Sequence, residues 1–364
     1  MYIPRYCPID RLVSDRVRRT RSMPYPLDEC PSKLRFYSHA RYALDGAVAA
    51  LELGPGDTVL LPAFVCPVVA TPFRARNITV RFFEVSSRGT ALIEDAIRKA
   101  DASTKALVLV DYFGFPQPSQ EEFGQFCTER GIWLIRNCAH AFLSTLDNTP
   151  VGVVGDLVVF SFRKTLGVPD GAALVLNRPG LTLSSHAYRY DVCWQLGGTT
   201  ARLVQAVQSR LGVGPIKWEP RLSSFRPFHS AMSPLTRALL PRIDFQWVAD
   251  QRRANFAAWL GLLGSSGPCR PLHGSLPEGV VPLVFPAVVD DPDLAVTVLR
   301  RAGSYAARMW RSLPDSASRV EFPEAAWLAD RVVALPVHQG VSPRQIDALA
   351  SLLRDRLGRS DRDG

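Results

Sequence analysis

The middle of the chain alternates short apolar runs with amphipathic stretches, which is the pattern of an α/β sheet protein. The apolar runs are β-branched and nearly continuous, as expected for strands that are covered on both faces. They predict strands at 58–62 (TVLLP), 78–83 (ITVRFF), 106–110 (ALVLV), 132–136 (IWLIR), 157–161 (LVVFS) and 172–176 (AALVL). Apolar residues at helical spacing predict helices between them, at 41–53, 92–100 and 119–130.

A second α/β region follows after a loop-rich connection at 180–245, which contains one predicted helix around 200–211. Its predicted elements are a helix (246–263), a strand (280–289, VVPLVFPAVV), a helix (293–302) and a final helix (343–357). We therefore predict a large, mainly parallel sheet domain at 26–245 and a smaller C-terminal α/β domain at 246–364. Residues 1–25 are predicted to form an arm or an extra helix.

The composition is that of a globular protein. A chain of 364 residues suits two packed subdomains, and 47% apolar with 21% charged residues is ordinary for such a chain. No apolar run is long enough for a membrane helix, and no apolar run follows the N-terminal arginines as in a secretory signal. The seven cysteines form neither a CxxC pair nor an even framework. This favours reduced thiols and a cytoplasmic location, and we assign no metal ligands.

The net charge of +9 raises the question of nucleic-acid binding. The arginines are spread along the chain, and only Arg16 to Arg21 form a cluster, without interleaved aromatic residues or finger spacing. We therefore expect no nucleic-acid partner. A basic chain also attracts anionic substrates and cofactors, which is the interpretation we favour.

Lysine is rare, and one lysine has an unusual context. Lys164 follows a predicted strand in FSFRKTLGVPDGAAL, whereas the others lie on charged or poorly patterned segments, at Lys33, Lys99, Lys105 and Lys217. A lysine that forms a Schiff base must be fixed and partly desolvated, because its neutral amine is the reactive form. The alternatives are an ordinary surface lysine and the SxxK pattern of serine acyl-transfer enzymes, since Ser161 stands three residues earlier.

A second motif lies at IWLIRNCAHAF (132–142). The strand is predicted to end at Asn137, with His140 at the start of a helix. Histidine at such a place often serves only a local backbone contact, so the motif alone leaves a functional role open.

Together these motifs resemble the DegT/DnrJ/EryC1/StrS group of pyridoxal-phosphate-dependent sugar aminotransferases, over residues from about 25 to 360. The matching segments occur in family order at 38–44 (SHARYAL), 53–67 (LGPGDTVLLPAFVCP), 108–118 (VLVDYFGFPQP), 132–142, 152–166 (GVVGDLVVFSFRKTL) and 335–346 (LPVHQGVSPRQI). The resemblance implies a fold-type-I large domain and a homodimer with its active site at the interface. The segment 221–232 (RLSSFRPFHSAM) is a candidate for that interface, although an ordinary packed loop explains it as well.

The resemblance also implies roles for residues. Lys164 would hold the cofactor as an internal aldimine and move the α-proton, and His140 would lie near the phenolic oxygen. Ser161 and the backbone at Ala40 and Arg41 would hold the phosphate, since a helix N-terminus suits an anion. Cys66 stands where relatives often have a ring-stacking aromatic residue, so here it is expected to be a small buried side chain.

The sequence departs from the family at Asn137, where relatives have a carboxylate that pairs with the pyridine nitrogen. A neutral amide cannot stabilise a pyridinium by charge, and losing such a contact costs about 1.5 to 3 kcal/mol. Arg136, at a position that is often acidic, is expected to lower the local negative charge further. Three functions remain open. The first is a transaminase that uses an amine donor and a small keto substrate such as a keto-sugar. The second is a repurposed fold with a different reaction in the same pocket, which either needs less carbanion stabilisation or does not use the cofactor. The third is a non-catalytic binding or scaffold protein.

Overall fold

The computed structural model describes residues 23–183, 231–314 and 317–360. Its largest sheet contains seven strands in the order β1-β9-β8-β5-β4-β2-β3, and a separate hairpin is formed by β6 and β7. The strands are β1 (Leu34–Tyr37), β2 (Thr58–Pro62), β3 (Thr79–Phe83), β4 (Thr104–Val110), β5 (Trp133–Asn137), β6 (Thr145–Leu146), β7 (Thr149–Pro150), β8 (Leu157–Ser161) and β9 (Ala172–Leu176). The pairs of β9 with β1 and β8 are antiparallel and the other four pairs are parallel, so the predicted mainly parallel sheet is confirmed.

Both faces of this sheet are covered, as the continuous apolar runs predict. The helices of this part are α1 (Ala40–Ala50), α2 (Thr71–Arg74), α3 (Ile93–Lys99), α4 (Gln120–Arg130) and the single turn α5 (Phe162–Thr165). Leu44 of α1 packs in one apolar cluster with Val108, and Phe123 of α4 packs in another with Leu107. Neighbouring residues of one strand therefore face opposite helices, because side chains alternate along a strand.

The C-terminal part has its own sheet, with the order β10-β11-β13-β12 and antiparallel pairing throughout. Its elements, with the two helices that precede it, are α6 (Pro234–Leu239), α7 (Phe245–Leu262), β10 (Cys269–Pro271), β11 (Phe285–Val289), α8 (Pro292–Arg301), β12 (Ala307–Arg308), α9 (Pro323–Arg331), β13 (Val332–Leu335) and α10 (Pro343–Ser360). Trp259 of α7, Leu299 of α8 and Leu353 of α10 pack in one apolar cluster with this sheet. The predicted smaller α/β region is thereby confirmed. No helix of the described residues is long and apolar enough to span a membrane.

The predicted strand 280–289 is wrong in its first half, because only Phe285–Val289 is a strand. Pro282 lacks a backbone N–H for a sheet ladder, and Leu283 donates instead to the carbonyl of Phe113 in the large sheet part, at 2.7 Å. The predicted helix around 200–211 and residues 221–230 of the candidate interface segment lie outside the described residues.

The two sheets share a core. Phe322 and Leu328, on the C-terminal side, belong to the same apolar cluster as Phe82 of β3. The Glu84 carboxylate accepts the backbone N–H of Ala325, near the start of α9, at 3.0 Å, so a side chain of the large part caps a C-terminal helix. The domain boundary that we predict at 245/246 falls at the start of α7, whose first turn packs on the large sheet.

Gly114 lies where the backbones of the two parts approach each other closely. Its φ is +109°, and a β-carbon there would lie 2.8 Å from the Cα of Pro282 and would also overlap the Val281 carbonyl oxygen. We expect Gly114→Ala to lower the free energy of unfolding by about 3 kcal/mol, from backbone strain and overpacking together. Gly131→Ala is the control, because its φ is +65° and its surroundings are open, so about 1 kcal/mol is expected. Urea denaturation measures both, and equal losses would contradict the prediction.

Candidate active site

The predicted site residues lie at the carboxyl end of the large sheet. Asn137 is the last residue of β5 and Ser161 is the last residue of the adjacent parallel strand β8. Lys164 follows Ser161 by one helical turn, in α5. Open α/β sheets bind ligands at this edge. The chain therefore brings Asn137, Ser161 and Lys164 to the edge where a ligand is expected.

The ammonium group of Lys164 is enclosed by protein, although the residue as a whole is half-buried. Burial lowers the pKa of the Lys164 amine to about 8, the Cys66 thiol acts in the opposite direction, and the nearby Arg163 guanidinium lowers it further. With that pKa, roughly one tenth of the amine is neutral at pH 7, compared with less than about 0.1% for an ordinary lysine. Lys164 is therefore prepared to act as a nucleophile or as a base.

This lowered pKa gives a direct prediction. An amine-directed reagent attacks only the neutral form, so labelling of Lys164 should rise with pH and reach half its maximal rate near pH 8. Quantitative peptide mapping after brief labelling at a series of pH values measures this rate. Lys105, which is exposed, provides the internal reference for reagent access. A midpoint for Lys164 at pH 10 or above would show that its ammonium group is solvated.

His140 is buried and held in the neutral form. Burial, together with the charge of Lys164, lowers the pKa of its imidazole well below the usual range. Its Nδ1 accepts the backbone N–H of Phe113 at 3.4 Å, which leaves the proton on Nε2. The ring also stacks on the indole of Trp310, with centroids 5.6 Å apart and planes at 23°. His140 is thus a neutral hydrogen-bond donor close to Lys164.

The predicted helix at His140 is wrong. The chain forms successive turns after β5, in which Ala141 donates to the carbonyl of Cys138 and Ser144 to that of Ala141. Leu143 has a φ of +77°, which a right-handed helix does not allow. These turns take the place of a helix, and they leave His140 close enough to Lys164 for the ammonium charge to lower the pKa of its imidazole.

Asn137 presents hydrogen-bond donors to the site. The side chain is 6% exposed, and its amide oxygen accepts the backbone N–H of Ala139 at 3.3 Å. Because the oxygen is engaged, the NH₂ group is the part that remains for a ligand. Asn137 is therefore suited to a ligand atom that accepts a hydrogen bond and carries no proton.

The expectation that Arg136 lowers the negative charge near Asn137 is wrong. Arg136 points to the opposite face of β5, where it also donates to Gln120 of α4 at 2.7 Å. There its guanidinium meets the Asp111 carboxylate at 2.7 and 2.9 Å, with both side chains fully buried. The charge of Arg136 is thus balanced by Asp111 and separated from Asn137 by the sheet.

An electropositive group of side chains surrounds Cys66, which is half-buried. Burial raises the pKa of the Cys66 thiol, while the charges of Lys164, Arg41 and Arg163 act against that rise. The hydroxyl oxygen of Ser161 is buried and has no hydrogen-bond partner among the described residues. An enclosed hydroxyl without a partner in the part of the chain that the structure describes, at the start of the turn that carries Lys164, is suited to an anion.

The helix start at Ala40 and Arg41 is tied to the Lys164 segment through Gly171. The N–H of Gly171 donates to the carbonyl of Ser38, at 2.8 Å, and its carbonyl accepts the N–H of Phe162, at 2.9 Å. The first amides of a helix have no partner inside it. The start of α1 and the turn α5 are therefore fixed relative to each other at the same edge.

The C-terminal part supplies residues that sequence reasoning missed. The carbonyl of Thr165, next to Lys164, accepts hydrogen bonds from Arg252 at 2.7 Å and from Gln339 at 3.3 Å. Arg252 is buried and also donates to the carbonyls of Pro282 and Leu283, at 3.1 and 3.0 Å. Gln339 lies in the segment 335–346, which resembles the family, so the sequence could have indicated it as a site residue. Arg252 has no such signal, because its role depends on tertiary contacts.

Comparison with known proteins identifies the class. Residues 37–207 match the sequence profile of the DegT/DnrJ/EryC1/StrS aminotransferase family. A UDP-N-acetyl-3-dehydro-alpha-D-glucosamine 3-aminotransferase from Acidithiobacillus ferrooxidans is 26% identical over 337 residues, which are 86% of this chain and 82% of that protein. The predicted resemblance is confirmed over residues 37–207, somewhat less than half of the chain, where the sequence matches the DegT/DnrJ/EryC1/StrS aminotransferase family.

Further similarities support the fold over a longer range. A dTDP-4-dehydro-2,3,6-trideoxy-D-glucose 4-aminotransferase from Saccharopolyspora spinosa is 30% identical over 171 residues, which are 46% of this chain and less than half, 44%, of that relative. The crystal structure of the aminotransferase TlmJ from Streptoalloteichus hindustanus superposes with a TM-score of 0.68 at 21% identity. That superposition covers 90% of this chain and 87% of TlmJ, so the fold of both sheet parts is shared.

Proposed function

We propose that this protein is a pyridoxal-phosphate-dependent aminotransferase that acts on a small keto substrate, with a nucleotide-linked keto-sugar as the favoured class. The observation that carries the proposal is the enclosed Lys164 amine, whose pKa is lowered to about 8, beside a neutral His140 at the sheet edge. The names of the two sugar aminotransferase relatives support the substrate class. The amine donor is a second small molecule.

The residues at this edge fit pyridoxal phosphate. The unpartnered Ser161 hydroxyl and the start of α1 at Ala40 and Arg41 provide donors for the phosphate. The Asn137 NH₂ group would donate to an unprotonated pyridine nitrogen, and His140 Nε2–H to the phenolic oxygen. Lys164 Nζ would form the covalent bond to the aldehyde carbon. When bound, the cofactor supplies a carbon that accepts amines and a ring that withdraws electrons.

The chain's own groups account for the proton movements. The neutral Lys164 amine takes a proton from the substrate carbon and returns it, which a pKa near neutrality favours. His140 stays neutral and orients its ligand through Nε2–H, because burial disfavours its charged form. Arg252 and Gln339 hold the carbonyl of Thr165, so α5 keeps its position while Lys164 moves.

A repurposed, cofactor-independent enzyme is the second candidate, and Asn137 favours it. The Asn137 side chain provides no negative charge that would stabilise a protonated pyridine ring. The buried Arg136–Asp111 pair lies on the opposite face and does not supply it either. The two candidates differ in whether Lys164 reacts with the aldehyde of pyridoxal phosphate.

The test is to incubate the purified protein with pyridoxal phosphate, record the visible absorption spectrum, reduce with borohydride and map the labelled peptides. We expect an absorption band and a label on the peptide that contains Lys164, with Lys105 as the exposed internal control. A folded protein without band or label would reject the first candidate in favour of the second. The homodimer and the cytoplasmic location remain predictions, and sedimentation analysis measures the former.

A further inference from the structure

Trp310 extends from the C-terminal part into the Lys164 site. It follows β12 by two positions, and its half-buried indole lies against residues of the large part. The indole centroid is 5.6 Å from His140, 4.7 Å from Phe64 and 6.0 Å from Tyr112. The contacts to the two aromatic rings are edge-on and the contact to His140 is a stack, so the indole plane is defined by three neighbours.

The backbone of Trp310 also has an unusual conformation. Its φ is +53°, in the left-handed region that large side chains rarely adopt. Such conformations persist where the surroundings determine them, and they are concentrated at functional sites. Here the surroundings are the aromatic contacts of the indole, which hold the residue over His140.

Within the described ranges, the His140 ring has one hydrogen bond besides its stack with Trp310. Its Nδ1 accepts the Phe113 N–H at 3.4 Å, which is a long hydrogen bond and fixes only one atom of the ring. The Tyr112 hydroxyl donates to the carbonyl of Phe64 at 2.6 Å, and so it is engaged elsewhere. The charged group that acts on His140 is Lys164 of α5. Among the residues that the structure describes, the remaining restraint on the ring plane is the stack with Trp310.

We propose that Trp310 is a positioning residue, which holds the His140 ring by stacking and excludes water from its face. The catalytic purpose of an oriented, neutral His140 rests on the proposed function, whereas the contact by which Trp310 holds the ring does not. A phenyl ring at position 310 would retain the stack, and a methyl group would remove it. Trp310→Phe and Trp310→Ala therefore form a matched pair. Trp133→Ala is the control, because it removes a half-buried indole at the opposite end of β5.

The experiment is an NMR titration of ¹³C,¹⁵N-histidine-labelled protein without added cofactor, with the His140 signal assigned through His140→Asn. We expect the wild type, Trp310→Phe and Trp133→Ala to keep a neutral Nε2–H ring below pH 6. In Trp310→Ala the protonation midpoint should rise by about one pH unit or more, toward the ordinary value near 6.5. An unchanged midpoint and tautomer in Trp310→Ala, or an equal shift in Trp133→Ala, would overturn the proposal.

If Trp310→Ala does not fold, the wild type provides a second measurement. Deuterium exchange at the Cε1–H of His140 should be at least tenfold slower than in the urea-unfolded chain, because water does not reach the covered ring. A rate within threefold of the unfolded chain would overturn the proposal. Neither readout depends on bound pyridoxal phosphate. A missing borohydride label on Lys164 would therefore reject the proposed function and leave the result for Trp310 intact.

Discussion

Lys164→Ala is expected to lose covalent labelling by pyridoxal phosphate completely and to slow amino transfer by on the order of 10³-fold or more. A positioned proton-transfer group alone contributes about 10² to 10⁴-fold, and the variant also loses the amine that bonds to the cofactor. Lys164 is suited both to proton transfer and to covalent bonding, since its amine is enclosed and its pKa is lowered to about 8. Single-turnover transfer from an amine donor to a keto-sugar nucleotide measures the rate.

Two further variants make the result specific to the amine. Lys164→Arg keeps a positive charge beside Cys66 but cannot act as a nucleophile, so it should be as inactive as Lys164→Ala. Lys105→Ala, in an exposed position on β4, should retain the wild-type rate. Activity that survives in Lys164→Ala would show that the reaction does not use this lysine.

Asn137→Asp is expected to raise the rate of amino transfer about 10 to 100-fold. A carboxylate at the end of β5 would add a charge-assisted contact to a protonated pyridine nitrogen, which is worth about 1.5 to 3 kcal/mol. The geometry is favourable because Arg136, the neighbouring cation, is already paired with Asp111 on the other face of the sheet. The new carboxylate would therefore not form an ion pair with Arg136 in place of its contact with the pyridine nitrogen. Comparison of kcat/KM for variant and wild type measures the gain.

The control for this prediction is Asn77→Asp, which makes the same change at an exposed turn and should leave the rate unchanged. A lower rate in Asn137→Asp, with an intact fold and intact labelling of Lys164, would contradict the prediction. It would indicate that the site is adapted to an unprotonated ring. The reaction would then be one that needs less electron withdrawal than amino transfer.

The large sheet was predictable because each of its strands is marked by a continuous apolar run in the sequence. The runs TVLLP, LVVFS and AALVL form strands with the predicted boundaries, since a strand covered on both faces must be apolar throughout. The elements that the sequence did not reveal are short, such as β10 and β12, and they depend on pairing with distant strands. Their residues carry too little periodicity to be distinguished from loops.

The candidate site was predictable only on the side of the large sheet. Lys164, His140 and Asn137 stand in segments whose family resemblance implies their roles. Arg252 and Trp310 do not, because each acts on a residue that is distant along the chain and meets it only through tertiary packing. The error at Arg136 has the same origin. Its partner Asp111 directly follows the adjacent strand β4, and a linear sequence does not show which charges are paired.

The shared core between the two sheets restricts how this protein can be recombined with its relatives. The rings of Phe82 and Phe322 pack edge to face, with centroids 6.5 Å apart, although they belong to different sheet parts. A chimera that took the C-terminal part from a relative would need a ring that fits Phe82, a helix start that donates to Glu84, and donors that reach the carbonyl of Thr165. Folding and the support of the Lys164 turn are thus inherited together, and the smallest exchangeable unit includes both sheets.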